Sequence, residues 1–182
     1  MEEVILAELI GSDAMWQQFV SDRGIGMHRF SFNDSMAKWH NNAFELNTTI
    51  DSSFLKIIET DERHPYWTAY LFRDSVFRAE CSNAEQKKLE SARIADTTTY
   101  NLRSVMSSGV LAKMPIQSDS SFRISFFRPF IFDDQQKAIA GAIVYYPNSF
   151  DGGQNICAVR YFLLKHKGEK YQITHTWQHF FN

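Results

Sequence analysis

The chain has 182 residues, 19 basic and 21 acidic side chains, and a formal net charge of −2. Hydrophobic residues make up 44% and aromatic residues 15%, which favours a packed core rich in rings over disorder. The length is typical of one domain, so we expect a single domain over residues 1–182. Because the basic residues form no stripe that could neutralise phosphates, no nucleic-acid partner is expected.

The cysteines and the amino terminus indicate the compartment. Cys81 and Cys157 belong to no CxxC or Cys/His spacing, which argues against a zinc cluster and against a disulfide framework. The opening MEEVILAELIGSD is acidic and has no basic region of the kind that begins a secretory signal. No stretch approaches the roughly 20 apolar residues of a membrane span. We therefore expect a cytoplasmic protein with no membrane association, no metal and no cofactor.

The first half of the chain, about residues 1–106, is predicted to be helical. Apolar residues recur at helical spacing in SDAMWQQFVSDRG, NDSMAKWHNNAFEL and HPYWTAYLFRDSVF. In SNAEQKKLESARIAD, Ser82 is followed three residues later by Glu85, which is the pattern of a capping box. The segment DSSFLKIIET suits a helix or a strand, and the sequence leaves both open.

The second half, about residues 121–181, is predicted to form an antiparallel sheet of four or more strands. The segment SFRISFFRPFIF alternates apolar and polar residues, DDQQ is typical of a turn, and AIAGAIVYY reads as a further strand. The last two runs, ICAVRYFLLKH and YQITHTWQHFF, flank KGEK and predict a β-hairpin. The expected fold class is α+β, with the helical half packed on the sheet.

The last predicted strand contains two histidines at a spacing that a helical metal site would use. His175 and His179 are four residues apart. On a helix both could reach one metal ion, but on a strand they lie about 13 Å apart at roughly 3.3 Å per residue. The strand assignment therefore removes the metal interpretation.

We expect that strand to present its histidines on an aromatic face shared with the preceding strand. The candidate binding residues on this face are Arg160, Phe162, His175, Trp177 and His179. The cationic guanidinium of Arg160 placed over Phe162 or Trp177 would stabilise the fold by about 0.5–2 kcal/mol without any function. If the face instead lines a concavity, His175 has the chemistry for proton transfer near neutral pH. Both interpretations stay open at this point.

Residues 125–181 resemble the carboxy-terminal meander of uncharacterised small bacterial proteins. The resemblance is carried by FFRPFIFDDQQKA, with Arg128, Pro129 and Phe130, and by YFLLKHKGEKYQI, and it departs at Tyr171, where Trp is usual. The order of helices followed by a curved sheet is also similar to the cone-shaped fold of nuclear transport factor 2 and ketosteroid isomerase. This second resemblance concerns the fold alone and implies no function. The Asp and Tyr constellation of the isomerases matches no motif of this sequence.

The absence of any catalytic motif favours a non-catalytic function. The expected activity is binding of a protein partner, for example a toxin neutralised by a cytoplasmic immunity protein, with Trp177, Trp67 or Tyr146 as aromatic anchors. The alternative is a small-molecule-binding or enzymatic protein of the cone fold, with a pocket on the concave face of the sheet that uses His175, Arg160 and Trp177.

Overall fold

A computed structural model describes residues 1–12, 15–18, 30–34, 36–37, 71, 74–95, 100–111, 122–146 and 156–180. The chain divides into two compact units, one of residues 1–37 with 98–182 and one of residues 38–97. The prediction of one domain over the whole chain stays a prediction, because compactness alone does not distinguish a subdomain from a domain.

Among its described residues, the larger unit has three helices with assigned bounds, a helical stretch at residues 15–18 and one sheet of six strands. The helices are α1 (Glu2–Gly11), α4 (Leu102–Val105) and α5 (Ser108–Leu111). The strands are β1 (Phe30–Phe32), β2 (Phe122–Phe126), β3 (Phe130–Ile131), β4 (Lys137–Tyr145), β5 (Ile156–Lys167) and β6 (Lys170–Phe180). The strand order is β1-β2-β4-β5-β6, with β3 paired to β4 beside β2.

Helix α1 covers one side of the sheet, which we call the helix face. Its residues Ile5, Leu6, Leu9 and Ile10 recur at helical spacing and are all buried. Glu2 and Glu3 stand in the first turn, where their negative charge complements the helix dipole. The Glu2 carboxylate forms an ion pair with the Arg128 guanidinium, with 2.8 Å between Oε1 and Nη2. The buried apolar stripe and this ion pair together fix α1 against the sheet.

The core on the helix face combines large rings with small strand residues. Trp16 is 1% exposed, its ring centroid lies 5.9 Å from that of Phe162, and its Nε1 donates to the Leu9 carbonyl at 2.9 Å. On the same face, strand β4 carries Ala140 and Ala142, which are both fully buried. Because alanine occupies little volume, the rings can approach the backbone of β4 closely.

The other side of the sheet, which we call the opposite face, is also buried along β4. Ile139 and Ile143 have exposed fractions of 0% and 4%. Between them lies Gly141, over which the ring of Phe127 stacks on Tyr161 at a centroid distance of 6.1 Å. A Cβ added at Gly141 would lie 2.5 Å from Cδ2 of Phe127. Position 141 must therefore be glycine for these two rings to meet.

The smaller unit contains helices α2 (Ser75–Glu80) and α3 (Asn83–Ala95). Asp74 caps α2, since its Oδ1 accepts from the backbone N–H groups of Val76 and Phe77 at 2.8 and 2.9 Å. The capping box predicted for α3 is confirmed: Ser82 N–H donates to Glu85 Oε2 at 2.7 Å, and Glu85 N–H donates to Ser82 Oγ at 3.3 Å.

The predicted α+β class is confirmed, and two finer predictions need correction. The helices are not confined to an amino-terminal half, because β1 lies there and enters the sheet. The sheet is mostly antiparallel rather than wholly so, because β1 pairs with β2 in parallel, with Phe30 opposite Phe122. The parallel pair joins segments that are distant in sequence, so no local pattern indicates it.

The predicted hairpin is confirmed, with Lys167 paired to Lys170 around a two-residue turn of Gly168 and Glu169. Gly168 has a φ of +64°, which glycine adopts readily at the first position of such a turn. The predicted helix SDAMWQQFVSDRG is helical at residues 15–18. Its other residues from 19, most of HPYWTAYLFRDSVF and all of DSSFLKIIET lie outside the described residues.

Replacement of Gly141 by alanine is predicted to destabilise the protein by about 1–3 kcal/mol, because the added methyl group overlaps Phe127 and overpacks the opposite face. Urea unfolding measures the change. The matched control is Gly11→Ala at the end of α1, where nothing lies within 4 Å of the added Cβ and little or no loss is expected. Equal stability of the Gly141→Ala variant and the wild type would contradict the stacking described above.

Candidate functional site

The candidate residues lie on strands β5 and β6, where an irregularity decides which of them can meet. Ile173 pairs with Leu164, but the next pair joins His175 to Leu163. Thr174 is therefore an extra residue on β6, which makes a β-bulge. Its Oγ1 donates to the Leu163 carbonyl at 3.2 Å. Beyond the bulge, every residue of β6 is shifted by one position relative to a regular strand.

The shift places the candidate residues on two faces, so the prediction that they share one face is wrong. Arg160 and Phe162 are on the helix face, opposite Ala142 and Ala140 of β4. His175 and Trp177 are on the opposite face, paired with Leu163 and Tyr161. The backbone of His179 pairs with Val159, in register with the other two. On β6, the part of the predicted face that keeps its side of the sheet is the beginning, at Tyr171 and Ile173.

Arg160 is buried among aromatic rings on the helix face. Its side chain is 6% exposed, and its guanidinium carbon lies 5.3 Å from the ring centroid of Trp16 and 5.5 Å from that of Phe162. Its Nη1 donates to the Met15 carbonyl at 3.3 Å. The predicted cation contact with Phe162 is therefore present, and Trp16 takes the place of Trp177. This arrangement ties the segment around Trp16 to the sheet.

His175 and Trp177 contact each other on the opposite face. Their ring centroids are 4.6 Å apart with an angle of 59° between the planes. Both side chains are half-buried. A histidine against an indole has no carboxylate to orient it for proton transfer, so this pair by itself makes no catalytic dyad. Within the described ranges, no three His, Cys, Asp or Glu side chains gather in a way that could hold a metal ion.

The opposite face also carries a polar cluster around Ser125 and Tyr145, which the sequence did not predict. Ser125 is 5% exposed and its Oγ accepts from Asn33 Nδ2 at 2.6 Å. Burial raises the pKa of Tyr145, which the Ser125 hydroxyl and the Arg123 guanidinium partly oppose. Arg123 pairs directly with Tyr145 in the register of β2 and β4. These hydrogen bonds satisfy polar groups that would otherwise be costly in a buried sheet.

A second group missed at the level of sequence consists of lysines near the hairpin turn, which we call the lysine end. Lys137 of β4 lies directly opposite Lys165 of β5, and Lys167 lies directly opposite Lys170 of β6. The two-residue period of a strand puts Lys165 and Lys167 on one face. All four lysines are therefore on the opposite face. The sequence KHKGEK already shows three of these lysines close together. Lys137 is distant in the chain and lies beside them only because β4 pairs with β5 in this register.

Strand β6 is at an edge of the sheet, since among the described strands it pairs with β5 alone. The backbone N–H of His166 donates to the Gln136 carbonyl at 2.7 Å, away from β6. In an antiparallel pair of strands, hydrogen-bonded and non-hydrogen-bonded residue pairs alternate. His166 and its partner Tyr171 form a non-hydrogen-bonded pair, so the backbone N–H and C=O of Tyr171 point outward. By the same alternation, resumed after the bulge, Thr176 and Gln178 also point their backbone groups outward. Among the described strands, none pairs with these outward groups of β6.

Comparisons with protein-family models, with curated proteins and with solved structures found no match for this chain. Within the described residues, no helix has both the length and the apolar character needed to cross a membrane.

Replacement of Arg160 by lysine is predicted to lower the free energy of unfolding by about 1–2 kcal/mol, because lysine keeps the charge but loses the flat guanidinium between two rings. Urea unfolding tests this, with Arg103→Lys as the matched control, since the Arg103 side chain is 68% exposed. The control is expected to change by less than about 0.5 kcal/mol. Unchanged stability of the Arg160 variant would mean that Arg160 does not brace the core.

Proposed function

We propose that this chain is a non-catalytic domain that binds a protein partner, in the way that a cytoplasmic immunity protein binds and neutralises a toxin. The observation that carries the proposal is the edge strand β6, which has 11 residues and directs backbone groups outward. An edge strand of this length can accept a strand from another protein, with main-chain hydrogen bonds providing the affinity.

The composition of β6 supports the same function. Its exposed residues include Gln172, Thr174 and Gln178, which are uncharged and compatible with a neighbouring strand. Proline, which blocks edge pairing in many proteins, is absent from β6. The bulge at Thr174 limits the pairing register, because an added strand has to follow the local twist. Selection of one register is what a specific partner requires.

The alternative of a pocket that combines Arg160, His175 and Trp177 has less support. Arg160 is packed between Trp16 and Phe162 on the helix face, while His175 and Trp177 are on the opposite face. Since the backbone of the sheet separates the two groups, they cannot act on one small molecule. We therefore retain protein binding as the proposal.

The proposal predicts that a proline at an outward position of β6 prevents partner binding. Thr176→Pro removes an N–H that points away from β5, so the ladder between β5 and β6 stays intact. The matched control is Thr176→Val, which changes the side chain and keeps the N–H. Each protein is immobilised and exposed to an extract of the organism that encodes it, and stoichiometric partners are identified by mass spectrometry.

The expected result is a partner retained by the wild type and by Thr176→Val and lost with Thr176→Pro. Circular dichroism of the three proteins should show equal folding. A partner that binds all three equally would place the interface elsewhere, and the absence of any stoichiometric partner would count against protein binding itself.

A further inference from the structure

We infer that Met1 and Tyr171 form a redox-sensitive switch, in which oxidation of the Met1 sulfur draws the Tyr171 hydroxyl away from the Gln135 carbonyl. Met1 directly precedes α1, Tyr171 lies on β6, and Gln135 lies in the turn between β3 and β4. The three groups meet in the fold of the larger unit, so the switch is independent of the partner proposed above.

The Tyr171 hydroxyl lies between two acceptors of unequal strength. It donates to the Gln135 carbonyl oxygen at 2.7 Å, and the Met1 Sδ lies 3.7 Å from it. Burial, and after it the charge of the Asp134 carboxylate, raise the pKa of Tyr171, so the hydroxyl keeps its proton near neutral pH. A phenol has one proton to donate, and a thioether is a weak acceptor. The carbonyl therefore holds this proton while Met1 is reduced.

The bond from Tyr171 helps to hold a strained residue in place. Gln135 has a φ of +55°, in the left-handed region that is unfavourable for residues other than glycine. Residues 133–136 are all exposed, so packing contributes little to the conformation of this turn. The Gln136 carbonyl accepts from the His166 N–H at 2.7 Å and keeps that bond in either state. Loss of the Tyr171 bond therefore loosens the tip of the turn and leaves its base attached.

The Met1 side chain is accessible to an oxidant. Met1 is 55% exposed, whereas Met36 and Met106 are 4% and 5% exposed. Hydrogen peroxide transfers one oxygen atom to a thioether, so that the sulfur loses two electrons and becomes a sulfoxide. The O–O bond of the peroxide breaks, an S–O bond forms, and the remaining oxygen leaves as water with both protons. Exposure therefore selects Met1 over the two buried methionines.

Oxidation replaces a weak acceptor with a strong one beside the hydroxyl. The sulfoxide oxygen carries partial negative charge and extends from a sulfur that is already 3.7 Å from the Tyr171 hydroxyl. Because the methionine side chain is flexible, this oxygen can turn toward the hydroxyl. The single phenolic proton then has two competing acceptors, and the share held by the Gln135 carbonyl falls. Methionine sulfoxide reductases return the sulfoxide to the thioether, so the change is reversible.

The test follows one amide hydrogen while the whole chain is oxidised. The N–H of Gln135, which donates to the Phe132 carbonyl at 2.8 Å, is the probe, and its exchange with solvent is measured by NMR. Hydrogen peroxide is the oxidant, and mass spectrometry of peptides gives the oxidised fraction of Met1. The main variant is Tyr171→Phe, which keeps the ring and removes the hydroxyl. The matched control is Thr176→Val, which removes a hydroxyl elsewhere on β6. Circular dichroism checks the folding of both variants.

We expect Met1 to be oxidised before the two buried methionines. Exchange at Gln135 should rise about three- to tenfold in step with Met1 oxidation, as the loss of one typical hydrogen bond predicts. A methionine sulfoxide reductase should restore slow exchange. In Tyr171→Phe, exchange should be fast from the start, and oxidation should change it by less than about twofold. Thr176→Val should respond as the wild type does.

Four outcomes would overturn the switch. The first is unchanged exchange at Gln135 when Met1 is fully oxidised. The second is an equal rise in Tyr171→Phe, which would mean that oxidation acts by a route other than the hydroxyl. The third is oxidation of Met1 no faster than that of the buried methionines. The fourth is a rise in the wild type that the reductase does not reverse, which decides against the switch even if Tyr171→Phe does not fold.

Discussion

The structure depends on the small side chains of β4, which let large rings approach the centre of the sheet from both sides. Ala140 and Ala142 are on the helix face, where Phe162 and Trp16 pack, and Gly141 is on the opposite face beneath Phe127. In a chain with 15% aromatic residues, large side chains are plentiful. The space beside the backbone of β4 therefore limits how closely they can pack. A strand with bulkier residues at these positions would force the rings apart and leave voids.

The bulge at Thr174 is the second constraint, and it explains why the pattern of the sequence misleads. Tyr171, Ile173, His175 and Trp177 recur at every second position and predict one face. One extra residue divides this series, because a shift by one residue moves each following side chain to the other side of the sheet. Nothing in the letters QITHT marks the position, since threonine is common in regular strands. Only the pairing with Leu163 reveals it.

Sequence patterns within a few residues predicted the local structure well. They did not predict strand pairs whose members are far apart in the chain. The capping box of Ser82 and Glu85 and the hairpin around Gly168 depend on residues within a few positions of each other, and both were predicted. Helix α1 lies in the half of the chain that is predicted to be helical, although no separate helix is predicted over its residues Glu2–Gly11. Strand β1 was missed because its partner is distant in the chain, with Phe30 beside Phe122. The lysine end belongs to this second class, since Lys137 and Lys165 meet only through the register.

The position of the lysines separates two explanations for charge on a sheet. Lysine on an edge strand commonly protects against aggregation, and Lys170 on β6 fits that role. Lys165 and Lys137 are on β5 and β4, which already have neighbours on both sides and need no such protection. Their alignment follows from the register of β4 and β5, so the protection of an edge does not explain it.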